Sequence, residues 1–167
     1  SAASDVYKRQ NGDDVLDDII AACEDNGTKI VYITRDTEFT AGAIRLSVYE
    51  SSERGSRDES GIMSTVSIGD YDMLVTGDVE KVVERELVSS HDLSGTELLI
   101  VPHHGSKYST SDELLSELRP ETAVISTGYN RYGHPTKETL DKLNEYGVNV
   151  LRTDELGRIV LHVASGD

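Results

Sequence analysis

The chain alternates short apolar runs with amphipathic segments, and this pattern predicts the order of its helices and strands. The first half is predicted to contain one helix and then four strands, at residues 13–27, 29–34, 43–49, 62–68 and 71–75. Gly69-Asp70 between the last two runs is a turn pair that favours a β-hairpin. The charged and serine-rich residues 50–60 indicate an exposed loop.

The second half alternates helices with single strands. Helices are predicted around residues 79–87, 110–118 and 135–147, and strands at residues 97–101, 121–126, 148–151 and 158–163. Thr110 and Glu113 form a capping-box pattern at the start of the second of these helices, and Pro135 suits the first turn of the third. Hairpins mixed with β-α-β passages predict a layered α/β fold with a mixed sheet.

Composition suits a soluble globular domain. The chain has 167 residues, of which 37% are hydrophobic and 28% are charged. Its longest apolar run is far shorter than the roughly 20 residues that a membrane helix needs. The single cysteine, Cys23, excludes an internal disulfide, and its place on the apolar side of the first helix predicts a buried thiol.

The net charge of −15 bears on the choice of partner. An acidic surface repels nucleic acid at long range, so this chain alone is not expected to bind long DNA tightly. Bound metal ions reverse such a potential locally, so an enzyme that acts on DNA is not excluded.

Polar side chains follow three of the predicted buried strands. Asp78 ends one such segment, His103 and His104 end the next, and His134 lies in the loop after the third. These segments are expected to meet at one edge of the sheet. Because carboxylate and imidazole are the ligands of Zn, Mn or Fe hydrolase sites, the sequence predicts a metal site there.

Each of these residues also has a structural interpretation. Asp78 suits the N-cap of the helix that follows it, and on its own this role is the more common one. In a metal site, one ring of the His103-His104 pair would face the metal while the other bonds a carboxylate or carbonyl. Two rings merely hydrogen-bonded near a turn would give the same sequence. His134 suits either a helix cap or, with Asn130 and Tyr132, a phosphate site at a helix N-terminus.

Together the motifs resemble those of the metallo-β-lactamase superfamily, and more narrowly the hydrolase domain of ComEC-type competence proteins, which take up DNA during transformation. The resemblance covers residues 58–163. The matching segments are DESGI (58–62), LVTGD (74–78), VPHHGSKYSTS (101–111), LRPE (118–121), STGYNRYGHP (126–135) and LRTD (151–154). The family fold implied is an αββα sandwich with two divalent metal ions, Zn or Mn, at the sheet edge.

The resemblance also implies roles for single residues. Asp78 matches the carboxylate that bridges the two metals, and it would fix their spacing and orient the hydroxide nucleophile. His103 matches the later metal-binding histidine, with His104 open for the same role, and His134 matches the histidine that contacts the scissile phosphate. Four further residues of these loops are expected to bind substrate: Ser106, Lys107, Asn130 and Tyr132.

One departure from the family pattern matters. The superfamily's main metal motif, H-x-H-x-D-H, is absent, since the first histidine of this chain is His91. Residues 13–167 are therefore expected to be a partial domain, the C-terminal part of the fold, and residues 1–12 a leader outside it. Because two ligands cannot hold a dinuclear site, the chain alone is predicted to be inactive.

Three functions are compatible with the sequence. The first is a metal-dependent hydrolase that cleaves phosphodiesters, degrading one strand of incoming DNA, as a soluble domain tethered to the bacterial membrane within a larger membrane protein. The second is a phosphodiesterase acting on cell-wall or small-molecule phosphoesters, which the acidic balance favours over duplex DNA. The third is a non-catalytic half-fold whose exposed apolar sheet face binds a partner or aggregates.

Overall fold

The computed structural model describes residues 14–50 and 62–163, and the chain divides after Arg35 into two compact units. The leader predicted at residues 1–12 lies outside the described residues. So does nearly all of the loop predicted at residues 50–60.

In the first unit, helix α1 spans Asp14–Asp25 and confirms the first predicted helix. It ends where the Thr28 amide donates to the Cys23 carbonyl at 2.8 Å and Gly27 adopts a positive φ of 65°, a conformation that glycine reaches without strain. Cys23 is half-buried rather than buried. The strand predicted at residues 29–34 is wrong, because that segment pairs with no strand in the part of the chain that the structure describes.

The second unit is built on one seven-stranded sheet whose strands lie in chain order. The strands are β1 (Thr37–Ala41), β2 (Ile44–Tyr49), β3 (Met63–Ile68), β4 (Tyr71–Val75), β5 (Leu98–Ile100), β6 (Thr122–Ile125) and β7 (Asn149–Arg152). Neighbours from β1 to β4 are antiparallel, and those from β4 to β7 are parallel. The predicted β3–β4 hairpin is confirmed, whereas β1 was not predicted.

Three helices, α2 (Lys81–Ser90), α3 (Asp112–Leu118) and α4 (Lys137–Glu145), pack over one face of this sheet. The register places Leu74, Leu99 and Ala123 side by side on that face. These three side chains are completely buried and form the core with apolar residues of the three helices. A four-residue helix, α5 (Thr153–Leu156), follows β7.

Two helix starts differ from the prediction by one or two residues. The N-cap of α3 is Ser111, whose Oγ accepts from the Leu114 amide at 3.2 Å, and not Thr110, which has a positive φ of 57°. The N-cap of α4 is Thr136, so Pro135 precedes the helix instead of lying in its first turn. In both cases the N-cap residue has an extended backbone, and its side-chain hydroxyl accepts a hydrogen bond from an amide in the first turn of the helix.

The last predicted strand, at residues 158–163, is also wrong. The chain turns through α5 after β7, and the segment that follows has no ladder partner among residues 14–50 and 62–163. Val160 and Leu161 are exposed there. None of the helices in the described ranges is long and apolar enough to cross a membrane.

The second face of the sheet is apolar as well. Leu46, Val66 and Met73 alternate with the core positions and are only half-buried. Ile44, the first residue of β2, is 45% exposed. The three long helices of the second unit lie on the opposite face. Around Ile44 this face therefore keeps apolar surface in contact with solvent, whereas Val48, Leu98 and Val124 on the same face are buried.

Candidate functional site

The three polar strand-end segments meet at one edge of the sheet. Strands β4, β5 and β6 are parallel, so their carboxyl ends lie side by side, the place where α/β sheets bind ligands. The His103 amide donates to the Gly77 carbonyl at 2.9 Å, and the His104 Nδ1 atom lies 2.6 Å from the Ser126 carbonyl oxygen. These bonds tie the turn at His103 and His104, called the histidine turn below, to the loops on both sides of it.

Asp78 and His104 face each other at this edge. The Nε2 atom of His104 lies 3.6 Å from Oδ1 of Asp78, and both side chains are more than half exposed. Because the Ser126 carbonyl only accepts hydrogen bonds, Nδ1 of His104 carries the hydrogen, and Nε2 is left to bind a proton or a metal. A ring oriented in this way is typical of a metal-ligating histidine.

The helix-cap interpretation of Asp78 is wrong. Helix α2 begins two residues later than that interpretation requires, and its N-cap position is Glu80, which makes no side-chain cap hydrogen bond. The Asp78 carboxylate is therefore oriented toward His104 instead of the helix amides.

His103 faces His134. Their ring centroids are 5.6 Å apart with the rings nearly perpendicular, an edge-to-face arrangement. The Nδ1 atom of His103 is buried and has no hydrogen-bond partner within the described ranges. His103 as the metal ligand stays a prediction; His104 has the better-defined orientation.

Backbone conformation sets these rings in place. His103 and His104 have positive φ values of 50° and 55°, which is uncommon for residues other than glycine. Gly105 follows at a φ of 84°, and a Cβ atom there would lie 2.6 Å from the Cβ atom of Pro135. The histidine turn thus packs directly on the loop that carries His134, and only glycine fits at the crossing.

The His134 loop is braced by Asn130. Its Oδ1 atom accepts from the amides of Tyr132 at 3.1 Å and His134 at 3.0 Å, while Nδ2 donates to the His134 carbonyl at 2.7 Å. Both polar atoms of the Asn130 side chain are thereby engaged within the loop. In this structure Asn130 holds the His134 backbone, and its contact with a substrate stays a prediction.

The Tyr132 ring lies beside His134 and is open to solvent. Its centroid is 5.9 Å from that of His134, and the residue is 82% exposed. Burial, and then the neighbouring His103 and His104, lower the pKa of His134, against a smaller opposing effect of Asp78. The lowered pKa favours a neutral imidazole at neutral pH.

Ser106 and Lys107, the other two residues predicted to bind substrate, turn toward Tyr108. Ser106 is buried, and its Oγ atom accepts from the Tyr108 amide at 3.3 Å. The Lys107 ammonium is exposed and lies 5.0 Å from the centroid of the Tyr108 ring.

The donor set at the sheet edge does not by itself fit a centre of two metal ions. A catalytic zinc takes three protein ligands, and a structural zinc takes four. In residues 14–50 and 62–163, no group of three or more His, Cys, Asp or Glu side chains is placed to hold a metal ion. The sequence predicted the Asp78 and histidine donors and a carboxylate or carbonyl partner for one ring, but not that this partner is the Ser126 carbonyl.

Comparison with known proteins gives two kinds of similarity. No protein-family model matches the chain. It is 33% identical over 144 residues to the ComE operon protein 3 of Bacillus subtilis (strain 168), covering 84% of this chain and 19% of that protein. It is 34% identical over 119 residues to the competence protein ComA of Neisseria gonorrhoeae, covering 69% of this chain and 17% of that protein. The chain therefore spans less than a fifth of the length of these curated relatives.

Among solved structures, the chain is similar to a CmlA beta-hydroxylase E377D mutant. The TM-score is 0.52 at 10% identity, over 75% of this chain and 32% of that protein. At this identity the similarity concerns the fold alone.

Proposed function

Because this chain belongs to the ComEC-type competence proteins and has the metallo-β-lactamase fold, we propose that it forms part of a metal-dependent hydrolase site that cleaves phosphodiesters of incoming DNA. The observation that carries the proposal is the pairing of Asp78 with an oriented His104 at the carboxyl ends of parallel strands. His103 and His134 face each other at the same edge.

The metal ions in this proposal, two divalent ions such as Zn or Mn, require ligands beyond those described above. Asp78 and His104 supply one oxygen and one nitrogen donor, and His103 is the open third candidate. The chain alone is accordingly proposed to be inactive. Activity belongs to a polypeptide in which further carboxylates or imidazoles reach this edge.

His134 is the proposed contact to the scissile phosphate. A neutral imidazole donates one hydrogen bond to a phosphoryl oxygen. Because it carries no positive charge, it does not compete with the metal ions for that oxygen. Asn130 fixes both the amide and the carbonyl of His134, so the ring is presented from a rigid loop. The exposed Tyr132 ring beside it is positioned to stack against a nucleobase.

A second candidate is a non-catalytic module. Two observations favour it. Within the described ranges, no three His, Cys, Asp or Glu side chains are placed together to hold a metal ion. The second face of the sheet also exposes apolar surface around Ile44. In this role the chain would contribute a binding surface and the histidine turn would be structural. Cleavage of cell-wall phosphoesters has no observation in its favour beyond the acidic net charge.

A chimera tests the proposal. This chain would replace the matching 144-residue segment of the Bacillus subtilis relative, and transformation by donor DNA would be measured with the parent chimera and with Asp78→Asn and His134→Ala versions. We expect the parent chimera to transform and both variants to lose transformation at least tenfold.

Variants that transform as well as the parent chimera would support the non-catalytic candidate. A parent chimera that does not transform would count against the proposed function. A panel of substrates, single-stranded DNA and a phosphorylcholine ester, assayed with purified chimera and Mn or Zn, separates nucleic acid from wall-linked phosphodiesters.

A further inference from the structure

Glu84 on α2 is a completely buried carboxylate that the proposed function leaves unused. Its Oε1 atom accepts from the Thr110 amide at 2.7 Å, and its Oε2 atom accepts from the Ser111 amide at 2.6 Å. A buried carboxylate is costly unless it is hydrogen-bonded. Here both oxygens are committed to one short backbone segment, far along the chain from Glu84.

The backbone that Glu84 holds is strained. Thr110 has a φ of 57°, which makes a β-branched residue a conformational outlier, and its buried Oγ1 atom has no partner among the described residues. The Thr110 carbonyl accepts from the Lys142 ammonium of α4 at 3.1 Å. Side chains from two helices therefore fix Thr110 on both sides, and such a conformation persists only where its surroundings enforce it.

This segment is continuous with the histidine turn. The Ser106 amide donates to the His103 carbonyl at 3.0 Å, and the Ser109 hydroxyl donates to the Val79 carbonyl at 2.9 Å. The Lys81 amide donates to the Tyr108 carbonyl at 3.0 Å. Residues 103–110 thus form one tightly turned stretch, with the histidines at one end and the clamped Thr110 at the other.

We infer that Glu84 is a positioning residue for the His103-His104 turn, which it controls by holding Thr110 in its left-handed conformation. The catalytic consequence of this inference rests on the proposed function. The positioning itself is measurable without metal or substrate, so the two can fail separately.

The test uses the full chain and backbone amide NMR signals of the histidine turn. In Glu84→Gln, an NH2 group replaces one of the two acceptor oxygens, so one of the two hydrogen bonds that hold the Thr110–Ser111 backbone is lost. We expect the amide signals of His103, His104 and Gly105 to move by several linewidths and their hydrogen exchange to accelerate at least tenfold. Glu145→Gln, an exposed change of the same type on α4, should leave these signals in place.

A second variant separates positioning from general support of the fold. Glycine adopts a φ of 57° without strain, so Thr110→Gly removes the need for the clamp. The double variant Glu84→Gln, Thr110→Gly should therefore recover the wild-type signals and exchange rates of the turn, even if Glu84→Gln alone does not fold.

Two results would overturn the inference. One is a folded Glu84→Gln protein with unchanged signals at the histidine turn. The other is a double variant that shows no recovery, whether it stays perturbed or unfolded, since Glu84 would then act through something other than Thr110.

Discussion

The Nε2 atom of His104 lies 3.6 Å from the Oδ1 atom of Asp78, although 25 intervening residues include a whole helix and a strand. The meeting is produced by two parallel strands whose ends share one edge, and by the Ser126 carbonyl, which turns the His104 ring. Both side chains are more than half exposed, so their pairing lies where a ligand can reach it.

Replacing Asp78 by asparagine should therefore cost little stability. Exposed ion pairs contribute roughly 0–1 kcal/mol, so we expect the free energy of unfolding of Asp78→Asn to change by less than about 1 kcal/mol. Urea unfolding of the isolated chain measures this. A loss of several kcal/mol would mean that Asp78 is primarily structural, contrary to the site proposed here.

Gly105→Ala should destabilise the chain because of both its conformation and its contacts. The residue has a φ of 84°, and the new Cβ would meet the Pro135 Cβ at 2.6 Å. Left-handed strain costs roughly 1–2 kcal/mol, and overpacking costs about 1–3 kcal/mol. Gly128→Ala is the matched control, since its φ is not positive and nothing lies within 4 Å of its added Cβ. Equal midpoints for the two variants in urea would contradict the packing described for the histidine turn.

Asn130→Ala should loosen His134 without touching its ring. Three hydrogen bonds to Tyr132 and His134 backbone groups are lost, each worth about 0.5–1.5 kcal/mol, so faster exchange of the His134 amide is expected. Asn130→Asp keeps the acceptor for both amides and should preserve their protection. If alanine and aspartate variants behave alike, Asn130 does not brace the loop through these bonds.

Glu84 should give the free energy of unfolding of this chain a distinct pH dependence. Burial raises the pKa of Glu84, outweighing the hydrogen bonds from Ser111 and Thr110 and the charge of Lys81. A raised pKa means that the folded state keeps this proton to higher pH than the unfolded state. The stability that Glu84 contributes is thus fully present below the ordinary value of 4.5 and is lost as pH rises through its folded pKa.

Glu84→Gln does not titrate, so comparison with the wild type isolates this contribution. The difference in unfolding free energy between wild type and variant should be largest below pH 4.5 and should shrink toward neutral pH. A difference that stays constant, or grows with pH, would show that the pKa of Glu84 is not raised.

Local sequence signals predicted most of the second unit well. Gly69-Asp70 marked the β3–β4 hairpin, and apolar runs before Asp78 and His103 marked two adjacent parallel strands. The failures were segments whose state depends on a distant partner. Residues 29–34 and 158–163 have strand-like composition, but no strand lies beside them in the described ranges, and β propensity depends on that context.

For the site as well, the sequence predicted what depends on local signals and missed what depends on distant or detailed backbone geometry. The residue types at strand ends predicted which side chains come together, because parallel strands end at one edge. The sequence could not decide whether Asp78 caps a helix, since this depended on α2 starting at Lys81. Nor could it show that Asn130 and Ser106 are engaged inside their own loops, because those bonds follow from backbone conformations at neighbouring residues.

We propose that this edge of the sheet supplies some, but not all, of the ligands of a metal-dependent site. The most direct test is the Zn and Mn content per chain, by elemental analysis after purification in both metals and dialysis. We predict well under one tightly bound metal ion per chain. One or two ions per chain would contradict this proposal, because the ligands of this chain would then suffice to hold the metal.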